Sequence, residues 1–279
     1  MSLFALEYKL ELCNKGAIKG GINLSKYFGN PDFDADGMKL LTSTDGPFPD
    51  MMMNISVHQI RKGAALKLNK EKEETAVLLI SGDVTFRWEE QTANAVREDP
   101  FKGDAVCLHV AKGVAVTVEA LEDSEVLVQS VENDGVFASM LYTPETTPQG
   151  TFGKGQFEGK AERKVRTFFD CHNAPYSNMV IGDLTVPQGG WSSYPPHGHE
   201  QPEVYYYRFD KPQGFGASFV GDEVAIITDR GFAAIPGGLT HPQVNAPGYP
   251  MYYVWMIRNF ENNPWTERNY DPAHLWLLD

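Results

Sequence analysis

The chain is short of cysteine, of basic charge and of long apolar runs, and each shortage removes a class of function. Its three cysteines, Cys13, Cys107 and Cys171, stand far apart. Odd in number and without a CxxC pair, they suggest neither a disulfide framework nor a cysteine zinc site, and they fit the reducing cytoplasm. Lys and Arg number 24 against 37 Asp and Glu, a formal net charge of -13. Such a surface repels phosphate backbones and anionic membranes, so no nucleic-acid or membrane partner is expected. An anionic small molecule would then need local positive charge, from a metal or a specific Lys or Arg. No run of about 20 apolar residues is present to cross a bilayer. The opening "MSLFALEYKLELCNKG", interrupted by Glu7, Lys9 and Glu11, does not read as a secretory signal. Neither a GxGxxG nor a GxxxxGK[ST] phosphate loop occurs.

What the chain does have is strand and turn chemistry. With 26 glycines and 18 prolines it suits short strands joined by tight turns. "TAVLLISGDVTFRW", "AVTVEA", "SEVLVQSV", "EVYYYRF", "VAIIT" and "MYYVWMI" alternate at period two or are short β-branched and aromatic runs. Helical periodicity is weak, leaving room for a turn or two in the N-terminal region and the tail. A coarse repeat relates residues 63–120 to 190–245: a glycine, a polar stretch, a strand, a turn, then a closing segment. The Gly-, Thr- and Pro-rich stretch 143–164 reads as the connection between them. The pattern predicts an all-β protein of two tandem β-barrels, residues 1–150 and 151–279, of the double-sheet kind that leaves no long exposed edges.

Chemistry concentrates in the second half. His197 and His199 share one face of an extended segment, and Glu203 has the same parity after a short turn. His241 comes from the closing segment "GFAAIPGGLTHPQVN". A lone histidine is more often a hydrogen-bonded structural residue, and His58, His109, His172 and His274 are read so. Three imidazoles and a carboxylate on one inner wall are different, because burying them unpaired costs several kcal/mol. The set suits a divalent metal: zinc first, with manganese, iron, nickel or cobalt also fitting, and with positions left open for substrate. Tyr205 and Tyr207 share the parity of Glu203 and are candidates for orienting or protonating a reacting oxygen. Arg208 and Lys211 are candidates for a carboxylate, although the parity of Arg208 turns it the other way.

Gly190, His197, His199 and Glu203 resemble the first cupin motif, and Pro236, Gly238, His241 and Asn245 match the second, P-x-G-x2-H-x3-N. With "GGWSSYPPHGH", "PQGF", "APGYPMYY" and "YDPAHLWLL", the chain is similar to the bacterial 5-deoxy-glucuronate isomerases of myo-inositol catabolism. These are a bicupin family related to 5-keto-4-deoxyuronate isomerase. The similarity is strong over residues 176–279 and one of layout before that. It departs in a short turn at Glu200, Gln201 and Pro202, and in Tyr207, where a histidine often stands. The resemblance implies tandem cupin (jelly-roll) domains and a metal-dependent aldose-ketose isomerase, cytoplasmic and homo-oligomeric. Its substrate would be 5-deoxy-D-glucuronate and its product 5-dehydro-2-deoxy-D-gluconate. Tyr252 and Gln213 join the candidate site through the resemblance. In the first repeat, aligning Glu74 with Glu203 puts Leu68, Lys70 and Val116 at the histidine positions, so that barrel is expected to hold no metal. The alternatives are the related ketol-isomerase, an iron cupin dioxygenase and a non-catalytic sugar-binding bicupin.

Overall fold

In the computed structural model, which describes residues 26–279, the period-two segments form antiparallel strands close to their expected limits. "EVYYYRF" is the strand Glu203–Phe209; the other long runs lie in Glu73–Trp88, Ser124–Glu132 and Met251–Arg258. Helix among the described residues is confined to the 3-10 turns Pro49–Met51, Gln156–Gly159 and Pro272–Leu278. The last is capped by Asp271, whose carboxylate accepts from the Ala273 N–H. Cys13 and the opening stretch lie outside the described residues. No helix among the described residues is long and apolar enough to cross a membrane.

The strand Glu73–Trp88 shows how one barrel curls. Its first part pairs with Cys107–Val110 and Ser124–Glu132, and its second with Gln91–Arg97 and Val116–Ala120. The change of direction falls at Gly82, whose φ is +119° and where a Cβ would come 2.1 Å from Ser124 Oγ. Only glycine fits so close an approach at that angle. The second half builds a seven-stranded sheet centred on Glu203–Phe209 and Met251–Arg258, faced by a four-stranded sheet that contains Phe215–Val220 and Gln243–Asn245. Phe28–Gly29, from the start of the described chain, pairs with Phe232–Ile235 at the edge of the larger sheet.

Side-chain alternation decides which core each residue enters. From the two central strands, Val204, Tyr206, Tyr252, Val254 and Met256 turn toward the first half and pack with Ile55, Val57, Leu78 and Leu127. Tyr205, Tyr207, Tyr253, Trp255 and Ile257 fill the second barrel instead, while Val77, Leu79, Phe86 and Val118 fill the first. Each large apolar side chain so buried stabilises by about 1.5–3 kcal/mol, so the shared core clamps the halves together. Polar groups cross the same boundary: Glu125 accepts from Tyr206 OH at 3.0 Å and from Arg208 at 2.7 Å. Arg97 donates to Asp183 at 3.2 Å and to Tyr252 OH at 3.3 Å.

Candidate metal centre

Two loops bring the predicted ligands together. The loop through His197 and His199 abuts the loop through Gly237, Gly238 and His241. The Gly238 N–H donates to His199 O at 2.6 Å, and a Cβ on Gly237 would lie 1.9 Å from Glu200 O. A side chain at Gly237 would push the two loops apart. Asn245 ties the rim below them, its Oδ1 accepting from Gly190 N–H at 2.8 Å and its Nδ2 donating to Pro187 O at 3.0 Å. The outer residues of both motifs therefore hold turns, while the inner ones face the barrel.

Glu203 Oε2 lies 3.2 Å from both His199 Nε2 and His241 Nε2, all three residues being buried. Their ligand atoms fall within 4.8 Å of one another. His197 stands outside this tight group but beside it, with its ring centroid 5.4 Å from that of His241, and it lines the same cavity. Every imidazole is fixed through Nδ1–H: His197 donates to Pro195 O at 2.8 Å, His199 to Gln201 O at 2.8 Å and His241 to Leu239 O at 2.9 Å. That arrangement leaves Nε2 with its lone pair exposed on all three rings.

The donor set calls for a cation. Two imidazole lone pairs aimed at a carboxylate oxygen have no proton between them, unless an imidazole is doubly protonated. Burial opposes that, pushing His197 down to about 3 and lowering His241 as well. Glu203 is raised by its burial, but the contacts with His199, His241 and Tyr205 outweigh this and hold it below the ordinary carboxylate range. Imidazole nitrogens oriented by carbonyls, together with an ionised carboxylate, are the ligands a divalent transition metal takes. A second group among the described residues, Asp170, Cys171 and His172, lies at the surface.

Around the centre, Tyr205 donates to Glu203 Oε2 at 3.0 Å and contacts Ser193 Oγ at 3.1 Å. Burial, reinforced by the charge of Glu203, lifts the Tyr205 hydroxyl well above its ordinary value. It therefore stays protonated at neutral pH and acts as a donor. Tyr207 does not line the cavity. Its hydroxyl donates to Gln243 Oε1 at 2.7 Å, which sets the amide so that Gln243 Nε2 donates to Ser193 Oγ and Tyr253 OH, each at 3.1 Å. Tyr207 is thus a positioning residue.

The structure places four further candidates away from the cavity. Tyr252 pairs in register with Arg208 on the opposite face of the sheet, so both enter the boundary between the halves. There Tyr252 meets Arg97 and Asp183, and Arg208 is paired with Glu125 and Asp229. Lys211 is 61% exposed beside Asp210, and Gln213 is exposed on the same turn. Sequence reasoning missed Tyr253, which lines the cavity, is bonded to Ser192 Oγ at 2.6 Å, and is pushed up to about 12 by burial. Alternation along "MYYVWMI" would have found it, given the pairing of Tyr207 with Tyr253. It also missed Arg163, Arg268, Trp255 and Trp265, which line the cavity of about 90 Å³ in front of the centre.

In the first half, Leu68 pairs directly with Val116. Glu74, however, does not face that barrel as Glu203 faces its own. It shares parity with Ala76, Leu78 and Ile80 and points to the shared core, because the alignment in sequence does not preserve the face. His109 is buried against it, His58 bonds Ser56, and His172 contacts Asp170.

Known proteins share this layout. The crystal structure of an IolB-like protein from Salmonella typhimurium LT2 superposes with a TM-score of 0.80 at 19% identity, covering 91% of this chain and 100% of the other. Oxalate decarboxylase from Lactobacillus farciminis gives a TM-score of 0.63 at 14% identity, with 93% and 92% covered, in keeping with an all-β cupin fold. The 5-deoxy-glucuronate isomerase of Geobacillus kaustophilus (strain HTA426) is 26% identical over 248 residues, 81% of this chain and 86% of its own. That of Bacillus subtilis (strain 168) is 24% identical over 264 residues, 88% and 95%. The KduI/IolB family pattern matches residues 30–277, and the chain belongs to that family.

Proposed function

We propose that this protein is a metal-dependent aldose-ketose isomerase that converts 5-deoxy-D-glucuronate to 5-dehydro-2-deoxy-D-gluconate in myo-inositol catabolism. The observation that carries the reading is the convergence of His199, His241 and Glu203, with His197 beside them and each Nδ1 tied to a carbonyl, in a chain of the KduI/IolB family. Isomerisation moves a proton between neighbouring carbons and develops negative charge on an enediolate. A divalent cation held by His197, His199, Glu203 and His241, with zinc the first choice, supplies Lewis-acid stabilisation of that charge. The chain's own groups do the rest. Tyr205 OH, kept protonated, holds Glu203 Oε2 in place. The Tyr253 oxygen accepts from Gln243, which frees its own proton for Ser192 or a substrate oxygen. Trp255 and Trp265 wall the cavity and restrict water. The first barrel serves packing and assembly. The protein works in the cytoplasm, and as a homo-oligomer, the assembly being supported by the outward Val224 and Ile226 of the strand Glu223–Thr228, 58% and 76% exposed.

Proton NMR of 5-deoxy-glucuronate in D2O with metal-stripped protein, before and after zinc or manganese is restored, tests the reading. The expected result is metal-dependent formation of the keto acid with deuterium entering at the reacting carbon. Absence of conversion with every divalent metal, despite tight metal binding, refutes it.

A further inference from the structure

The cavity in front of the metal centre contains more hydrogen-bond donors than its own walls satisfy. Arg163 donates through one terminal nitrogen to Ala161 O at 2.8 Å. Neither it nor Arg268 has a carboxylate within 4.0 Å among the described residues, in a chain with 37 acidic side chains. Arg268 lies over the Trp265 ring, 5.5 Å from its centroid. The indole N–H groups of Trp255 and Trp265 are buried without an acceptor among the described residues, and both side chains line the same cavity. Burial, and the like charge of Arg268, hold Arg163 below its ordinary value. Arg163 is half-buried and Arg268 is exposed. The buried indole donors cost stability unless something fills them, and two guanidinium forks beside them match an anion rich in oxygen acceptors.

We propose that Arg163 and Arg268, assisted by the N–H groups of Trp255 and Trp265, form the subsite for the substrate's carboxylate. They thereby fix which end of the sugar acid reaches the His and Glu centre. The identity of the sugar acid rests on the isomerase reading above; the anion subsite does not. It replaces Arg208 and Lys211, whose charges are paired elsewhere or lie in solvent. The subsite makes the site selective for acids over neutral sugars. In a chain with net charge -13 it supplies an anion with the local positive charge that the surface as a whole does not.

The test is calorimetric binding of 5-deoxy-glucuronate and of its neutral counterpart, 5-deoxy-glucose, to the zinc-loaded full chain. It is run on the wild type, Arg163→Gln, Arg268→Gln and the double variant, with zinc stoichiometry and thermal unfolding measured on each. The wild type should prefer the acid, and each single variant should weaken acid binding by about 10- to 100-fold while changing neutral-sugar binding less than about twofold. In the double variant the preference should disappear with the zinc stoichiometry intact. No preference in the wild type, or one that survives in the double variant, overturns the subsite. If the preference is present and arginine-dependent but the NMR experiment yields no keto acid, the isomerase reading falls and the subsite stands. Turnover without any charge preference does the reverse: the isomerase reading stands and the subsite falls.

Discussion

Glu74 and Glu203 align in the sequence repeat but face different cores; both are buried, and they are satisfied in opposite ways. Glu74 accepts from four donors: His109 Nε2 at 2.8 Å, Ser177 Oγ at 2.9 Å, Asn133 Nδ2 at 3.0 Å and the Asn178 N–H at 2.6 Å. Its charge is fully solvated by protein, and Ser177 and Asn178 belong to the second half, so the network fastens the halves together. Glu203 receives one hydroxyl, from Tyr205, and faces two imidazoles whose protons point elsewhere. The contrast lies in the histidine tautomer. His109 has no partner at Nδ1 among the described residues and donates through Nε2, whereas His199 and His241 have given Nδ1–H to carbonyls and offer lone pairs. A buried carboxylate surrounded by donors is a structural device; one surrounded by acceptors calls for a cation.

The largest expected effects separate these two glutamates. His241→Ala should weaken zinc binding more than about 100-fold, beyond what changes around the ligands alone achieve, and abolish turnover. The metal-free protein should melt as the wild type does. Glu74→Ala should instead leave four donors unpaired, the buried His109 among them, and lower stability by about 3–5 kcal/mol. Zinc stoichiometry in the protein that remains folded should not change; calorimetric zinc titration and urea unfolding read the two effects apart. Metal loss in Glu74→Ala, or a large stability loss in metal-free His241→Ala, would erase the distinction.

A smaller effect sharpens the account of the cavity. Tyr207→Phe removes the hydroxyl that orients Gln243, so kcat should fall about 2- to 10-fold. Zinc affinity should remain, since Tyr207 touches none of the four predicted ligands. An unchanged kcat would show that Gln243 keeps its orientation without that hydroxyl.

The smallest effect concerns the boundary near Glu125. Burial, opposed by Glu125 and aided by Arg230, lowers the Lys39 ammonium to about 8. Between that value and its ordinary 10.5 the unfolded chain holds more protons at this lysine than the folded one. Lys39 therefore makes stability rise with pH across that window, its cost being fully present below pH 8. Lys39→Met should flatten this rise relative to the wild type in urea unfolding at a series of pH values; an unaltered slope would contradict it.

Strand positions and the clustering of the histidine and glutamate candidates were legible, largely because both rest on spacing along the chain. Period-two alternation marks strands, and the separations of His197, His199 and Glu203 place them on one wall once that wall is extended. The choice between Tyr252 and Tyr253 was not legible, since it depends on register with a neighbouring strand, Tyr207 against Tyr253. The true face of Glu74 was hidden for the same reason, as an alignment offset by one residue reverses the side that a side chain faces. Arg163 and Arg268 carry no motif. They meet only because the tail returns across the barrel mouth, where Asn269–Tyr270 pairs with His197–Gly198.

Whether the acceptor-oriented imidazoles around Glu203 hold one divalent cation is read from zinc titration of the metal-stripped chain, with the bound ion's coordination followed by X-ray absorption. The expected result is one tight zinc per chain, coordinated by imidazole nitrogens and carboxylate oxygen without sulfur, and lost in His241→Ala. Failure of the wild type to bind zinc or any other divalent transition metal, or a sulfur-coordinated ion that survives the substitution, would contradict it.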